Sequence, residues 1–332
     1  MIEVISEWGQ SHRGNLNAAI KQAEIAQATG CAWAKWQIFQ PDRIAGPTAR
    51  RYWDPALGGA DSQRDTFTTN GMLHAEEWQE LKAMCDVIGV GFLATPFDLE
   101  AVDLLEAVNV SAYKIASGDI TYRQLLQKIA ATGKPVFLST GASHLDEVER
   151  ALVWLEPCQV TLLACSLSYP CEAKDANLAR IATLACMTEK VGYSDHTLGP
   201  WTALAAVAVG ADVLEKHCTL GGDGVPDDRM ALNPPQLANY VHLAKYGEAL
   251  RGSDEIAPTI AEWPAREGAR RSLHAARAFP AGHIFEPGDF IYLRPAGPFE
   301  PADEDRLYSQ VAVRSIEAGA QITAQDILGY GV

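Results

Sequence analysis

No stretch of the chain approaches the roughly 20 consecutive apolar residues that a membrane-spanning helix needs, so no membrane partner is expected. Cationic residues are scarce. Twenty-seven Lys and Arg stand against 42 Asp and Glu, a net charge of −15 that opposes a phosphate backbone and argues against nucleic acid as a partner. The seven cysteines (31, 85, 158, 165, 171, 186 and 218) are odd in number and form no C-x-x-C pair. They read as buried thiols of a reducing compartment, not as a disulfide framework. The opening MIEVISEWGQ lacks the basic residues of a signal peptide and breaks at Trp8-Gly9, so it reads as the first strand of a cytoplasmic protein. A glycine-rich dinucleotide fingerprint is missing as well. With 48% hydrophobic and 21% charged residues, the signature of disorder is absent too.

What is present is an alternation of short apolar runs with amphipathic segments. Strands are predicted over 3–6, 32–37, 91–95, 112–115, 136–139, 160–164, 191–193 and 213–216. Helices are predicted over 17–29, 75–88, 99–108, 122–131, 145–155, 177–187, 201–209 and 234–250. Eight such units in 250 residues define a (β/α)8 (TIM) barrel over 1–250, with a doubly wound sheet as the competing α/β fold. The polar stretch 42–74 is too long for an ordinary βα loop and reads as a lid or contact loop. Residues 251–269, polar and with Pro258 and Pro264, read as a linker. Residues 270–332 read as a small β-rich domain with an internal echo, PAGHIFEPGDF (280–290) and EAGAQITAQDI (317–327).

Catalytic groups of such barrels sit at the C-terminal ends of strands. Here those ends are polar in succession: Glu7, Lys35 with Gln37, Thr95, Lys114 with Ser117 and Asp119, Ser139 with Thr140, Ser166 with Tyr169, Ser194-Asp195-His196, and Glu215-Lys216-His217. Packing alone asks only for apolar and turn residues there, so the run indicates a site lined on all sides. His196 and His217 follow neighbouring strands, where two imidazoles can converge on one cation and leave positions open to water or substrate. Without a third evident His or Cys, the expectation is an octahedral Mn²⁺ or Mg²⁺ site and not structural zinc. Lys114 with the hydroxyls of Thr95, Ser117, Ser139 and Ser194 forms a candidate anion pocket. Gly118 and Gly141 would let backbone N–H groups approach a phosphate.

The ordered motifs SEWGQSHRGN, AKWQIF, FLATPFD, AYKIASGD, PVFLSTG, CSLSYP, VGYSDHT and LEKHCT, with YLRPAGPF near the C-terminus, resemble those of the sialic acid synthase family. The resemblance implies a (β/α)8 barrel followed by an antifreeze-like (SAF) domain that caps the partner's barrel in a domain-swapped homodimer. It also implies a reaction that joins C3 of phosphoenolpyruvate to an open-chain sugar aldehyde, giving a 2-keto-3-deoxy sugar acid and phosphate. By motif, Lys35, Thr95, Lys114, Ser117, Ser139 and Ser194 would hold phosphoenolpyruvate. His196 and His217 would hold Mn²⁺, with Mg²⁺ or Co²⁺ as alternatives, to polarise the aldehyde. Glu7, Gln37, Tyr169 and Asp227 would face the sugar, and Glu7 and Glu215 would handle protons or steer water to C2. Arg294 would reach the partner's site and contact the sugar's N-acyl group.

Four departures from the family pattern stand out. Gln10-Ser11-His12 replaces Ile-Asn-His, Asp119 replaces a longer Glu, Leu167 replaces Asn or Ser, and Ala231 replaces Ser. They cluster on the sugar side, so the implied chemistry is retained and the aldehyde differs from N-acetylmannosamine. Two other readings stay open. One is a Schiff-base aldolase acting on a related sugar through Lys114 or Lys216; the other is a non-catalytic carbohydrate-binding protein that uses the C-terminal β domain.

Overall fold

The apolar runs of the first 220 residues fold as eight strands: β1 (Glu3–Gly9), β2 (Trp33–Ile38), β3 (Gly91–Pro96), β4 (Tyr113–Ile115), β5 (Val136–Ser139), β6 (Val160–Cys165), β7 (Lys190–Asp195) and β8 (Val213–His217). The computed structural model describes residues 1–54, 59–69, 71–221 and 226–329. Every pairing among these strands is parallel, in the order β3-β2-β1-β8-β7-β6-β5-β4. Strands β3 and β4 lie side by side, which closes the barrel.

A helix follows each strand: α1 (Leu16–Thr29), α2 (Ala75–Ile88), α3 (Leu99–Val108), α4 (Arg123–Ala130), α5 (Leu145–Leu155), α6 (Arg180–Leu184), α7 (Trp201–Ala208) and α8 (Pro234–Arg251). Their starts are encoded locally. The Asn15 side chain accepts from Ala18 N–H at 3.1 Å and Asp98 from Ala101 N–H at 2.7 Å, while Gly30 and Gly89 end α1 and α2 in the left-handed conformation. Helix α6 is shorter than predicted because Asn177 sits at φ 48° and delays the first helical turn.

Two apolar layers hold the barrel. Ile5, Leu93, Ala112, Phe137, Leu163 and Val213, with Trp33, fill its interior at the N-terminal end. Outward residues such as Val4, Trp36, Phe92 and Leu214 pack against helix faces that include Ala19, Ala23 and Ala26 of α1. Strands buried on both faces carry near-continuous apolar runs, which is why they stand out in the sequence. Where β7 meets β8 the fit demands glycine, since a Cβ on Gly192 would lie 2.3 Å from the Val213 carbonyl oxygen.

The polar stretch after β2 is folded. It holds the short helices Pro41–Ile44 and Gln63–Thr69, with residues 55–58 and 70 outside the described set. Among the described residues no helix is long and apolar enough to cross a membrane.

The chain divides into two compact units, Met1–Gly252 and Ser253–Val332. The predicted linker 251–269 is not irregular throughout, because Trp263–Ala269 is helical and belongs to the second unit. There β9 (Ser272–Ala275) pairs antiparallel with β10 (Phe290–Leu293) over a core of Leu273, Phe279, Phe285, Phe290, Ile316 and Ile322. The sequence echo is a repeated structural device. Asp289 takes Arg277 on one oxygen at 2.6 Å and Glu286 N–H on the other at 3.0 Å. Asp326 takes Arg314 at 2.6 Å and Thr323 N–H at 2.7 Å, with the same spacing in sequence.

Burial works against both charges, yet His283 and the Glu286 N–H at Asp289, and Arg314 and Thr323 at Asp326, outweigh it and hold both carboxyls below their usual range. Because the folded values are the lower ones, this stabilisation is complete above about pH 4 and is lost as pH falls through the folded values. Asp326→Ala is expected to destabilise the second unit by about 2 kcal/mol and to flatten that acid dependence. Hydrogen exchange of residues 270–329 across pH 3 to 7 checks it.

Candidate active site

The alternation that sinks Ile5, Trp33 and Val213 into the barrel interior brings Glu7, Lys35 and Glu215 to the same inward side two residues later, and His217 two beyond Glu215. They open on a cavity of about 390 Å³ at the C-terminal ends of the strands, a size suited to small molecules. Of the polar residues singled out by sequence, Glu7, Lys35, Gln37, Thr95, Lys114, Ser117, Asp119, Ser139, Tyr169, Ser194, His196, Glu215, His217 and Asp227 line it, while the strand-end residues Thr140, Ser166, Asp195 and Lys216 do not. Nor does Arg294. It is exposed on the second unit, before a cis bond to Pro295.

The floor of the cavity is a charge network. Lys35 Nζ lies 2.5 Å from Glu7 Oε2 and 3.1 Å from Glu215 Oε1, and Lys114 Nζ lies 3.5 Å from Glu215 Oε2. Lys114 also donates to Ser139 Oγ at 2.7 Å and to the Ile115 carbonyl at 2.8 Å. Gln37 donates to Glu7 Oε1 at 2.8 Å and accepts from Gln10 at 3.2 Å. Burial pushes the Glu7 carboxyl up, although Lys35 opposes it. Burial acts on Glu215 in the same sense, but Lys114 and Lys35 outweigh it and bring that carboxyl down to about 2. Burial lowers the Lys114 ammonium, against Glu215. It raises Asp119 to about 7, where Oδ2 has no hydrogen-bond partner, and Asp227 to about 6, with help from Glu7.

Across the cavity the His196 and His217 rings stand 5.5 Å apart, with the Tyr169 ring 4.3 Å from His196. His196 Nδ1 is 3.0 Å from the Ser166 carbonyl, which makes it the N–H donor, so a ligand would be met by Nε2 once that nitrogen has given up its proton. Burial disfavours charge on His196, yet the neighbouring Cys165 thiol raises it to about 9. Burial and His196 push His217 well below its usual range. Asp227 Oδ2 is 3.7 Å from His217 Nδ1. Among the described residues no group of three or more His, Cys, Asp and Glu forms a ready metal cluster. His196 and His217, with Asp227 near His217, are the side chains that would hold an ion whose other positions go to water and substrate.

Two expectations need correction. The Gly141 N–H is already used by Ser117 Oγ at 2.9 Å, so it is not free for a phosphate. A Cβ there would lie 2.9 Å from Ser117 Oγ and 3.1 Å from Cys165 Sγ, so any larger residue displaces Ser117. Lys216, one of two candidate Schiff-base lysines, points away from the cavity. It is fully buried against Asp195 at 3.2 Å. Lys114 remains at the cavity, tied to Ser139 and Glu215.

The 42–74 segment, read from sequence as a lid or contact loop, supplies a wall of the cavity through residues that sequence reasoning did not name. Ile44, Tyr52, Trp53, Gln63, Thr66 and Phe67 of the 42–74 segment line the cavity. Its rings run from Phe39 to Phe67 (5.3 Å), Trp53 (6.5 Å), Tyr52 (5.1 Å) and Tyr169 (6.3 Å). Loop residues follow no period that reveals their direction. The only available signal was four aromatics, counting Phe39, beside an otherwise polar run.

A (β/α)8 barrel whose mouth joins a lysine–carboxylate cradle to a histidine pair defines an enzyme of the barrel class that handles a small anionic molecule. The chain belongs to the NeuB family, which matches residues 22–255, and residues 270–328 match the SAF domain. It is similar to N,N'-diacetyllegionaminic acid synthase of Campylobacter jejuni, 33% identical over 94% of this chain and 96% of that protein. The crystal structure of N-acetylneuraminic acid (sialic acid) synthetase from Leptospira borgpetersenii, in complex with citrate, superposes with a TM-score of 0.73 at 29% identity, covering 80% of this chain and 90% of that one. That of the spore coat polysaccharide biosynthesis protein SpsE from Bacillus subtilis gives 0.64 at 28% identity, over 98% and 95%.

Proposed function

We propose that the enzyme condenses phosphoenolpyruvate with an open-chain sugar aldehyde, an acylated amino-hexose or related aldose. The products are a 2-keto-3-deoxy sugar acid and inorganic phosphate. The observation that carries this reading is the presence of two unlike half-sites in one cavity, the Lys35–Lys114–hydroxyl cradle and the histidine pair. Relatives named as sialic and legionaminic acid synthases support the general reaction.

In this reading Lys35 and Lys114 neutralise the phosphate and carboxylate of phosphoenolpyruvate, and Thr95, Ser117, Ser139 and Ser194 donate their hydroxyls. The C2=C3 π pair becomes the new bond from C3 to the aldehyde carbon, whose oxygen takes the carbonyl π pair and a proton, and C2 is left electron-deficient. Water adds at C2, and loss of phosphate leaves the ketone. Glu7, with its carboxyl raised, is the candidate proton carrier; Glu215, with its carboxyl lowered, stays an anion facing the charge that develops at C2. His196 and His217 would hold a divalent ion, Mn²⁺ before Mg²⁺ or Co²⁺, which would supply Lewis-acid polarisation of the aldehyde. Gln37, Asp119, Tyr169 and Asp227 face the sugar. The working form is a cytoplasmic domain-swapped homodimer in which Arg294 serves the partner's site.

Gly141→Ala, by displacing Ser117, is expected to raise the phosphoenolpyruvate KM roughly tenfold or more with a smaller change in kcat; steady-state kinetics check it. The reading as a whole is tested with a panel of aldoses and acylated amino-aldoses supplied with phosphoenolpyruvate and Mn²⁺. One of them should yield a product with the mass of both substrates plus water less phosphoric acid. If none reacts and phosphoenolpyruvate does not bind, the reading fails.

A further inference from the structure

On β7 and β8 the residues alternate in direction, so Ser194, His196, Glu215 and His217 face the cavity while Asp195 and Lys216 face the helices. Asp195 and Lys216 are direct register partners, and their side chains meet at 3.2 Å with 0% exposure each. Asp195 Oδ1 accepts from Thr197 N–H at 2.8 Å and from Thr197 Oγ1 at 2.7 Å, and Lys216 Nζ donates to the Thr197 carbonyl. Thr197 Oγ1 is held in turn by Thr202 of α7 at 2.6 Å, and the Tyr240 ring of α8 lies 5.9 Å from Lys216 Nζ.

The pair therefore grips the backbone on both sides of His196, at 195 and 197, from the residue that immediately precedes His217. Neither charge reaches the cavity. Most of the layer between strands and helices is apolar, with Tyr193 and Leu214 as the outward neighbours on the same strands and the buried Ser6 as register partner of Lys216 on β1. A buried ion pair among mostly apolar neighbours is often no better a stabiliser than apolar residues of the same volume, so stability alone does not account for it.

We propose that the buried Asp195–Lys216 pair, through Thr197, is a positioning device that fixes the separation and orientation of the His196 and His217 imidazoles. This rests on the reading of those histidines as a metal pair. Outer groups that orient ligating histidines typically carry roughly 10- to 100-fold of the metal affinity.

The test compares the wild-type chain with Asp195→Leu/Lys216→Met and with the milder Thr197→Val, using Mn²⁺ titration without substrate, phosphoenolpyruvate titration, thermal unfolding and ¹⁵N spectra of histidine-labelled protein. The expected result is Mn²⁺ affinity lowered roughly 10- to 100-fold in both variants. Phosphoenolpyruvate affinity should fall by less than Mn²⁺ affinity, because of its cradle only Ser194 lies on β7 while Lys35, Thr95, Lys114, Ser117 and Ser139 lie on or just after β2 to β5, and the double variant should unfold no earlier than wild type. Unchanged Mn²⁺ affinity in a folded variant overturns the proposal. If the double variant does not fold, Thr197→Val alone decides by the same criterion. If wild type binds no divalent ion, the metal reading fails separately. The ring ¹⁵N shifts of His196 and His217 then decide: tautomer mixing in the variants supports positioning, and unchanged shifts overturn it.

Discussion

Lys114→Met is expected to raise the phosphoenolpyruvate KM by at least about a hundredfold while the chain stays folded. Lys114 is buried and held between Ser139 Oγ at 2.7 Å, the Ile115 carbonyl at 2.8 Å and Glu215 at 3.5 Å. That geometry pins its ammonium before any substrate arrives, so an anion gains the full interaction without ordering a flexible side chain. Truncating one member of a buried, hydrogen-bonded charge pair typically costs about 2–5 kcal/mol, which sets the size of the expected loss. A second consequence has a fixed sign. Glu215 is brought down to about 2 by Lys114 and Lys35 against burial, so removing Lys114 raises its pKa. If Glu215 must be ionised, the acid limb of the kcat–pH profile moves to higher pH. Lys35 at 3.1 Å still pairs with Glu215, which keeps the fold intact. Steady-state kinetics between pH 5 and 9, with thermal unfolding as control, check both points.

His196→Ala is the second large effect. If the two histidines hold the ion as proposed, removing one is expected to cut turnover by a factor on the order of 10³ or more, because aldehyde polarisation would then have no defined anchor. Phosphoenolpyruvate binding is expected to persist, since Lys35, Thr95, Lys114, Ser117 and Ser139 of its cradle lie on or just after other strands and Ser194 itself is unchanged. The split between lost Mn²⁺ binding and retained phosphoenolpyruvate binding, measured by titration, separates a metal role from general disruption. A non-catalytic carbohydrate-binding protein would show no such dependence.

Most of the barrel was legible in the sequence because strands buried on both faces are almost continuously apolar, as in FLAT (92–95) and TLLAC (161–165). The strand ends were legible for the opposite reason: they are polar where packing needs nothing polar. Direction was harder to read. Lys216 looked equivalent to Glu215 and His217 until the two-residue alternation was applied, and then its parity places it behind the site with Asp195. Gly141 was read as an open approach for a phosphate, whereas its N–H is spent on Ser117 and its missing Cβ accommodates Cys165. The aromatic wall of Tyr52, Trp53 and Phe67 escaped because loop direction is set by tertiary packing and not by period. Asn177 shortened α6 through a left-handed backbone that its neighbours in sequence do not announce.

The central claim is that one cavity holds phosphoenolpyruvate and a metal-activated aldehyde together. The most direct measurement is phosphate release from phosphoenolpyruvate by the full chain, with the aldose, the divalent ion and His196 each withdrawn in turn. The account predicts release only when all three are present, one phosphate for each molecule of 2-keto-3-deoxy acid formed. Release that continues without the aldose, or that survives both chelation and His196→Ala, would contradict it.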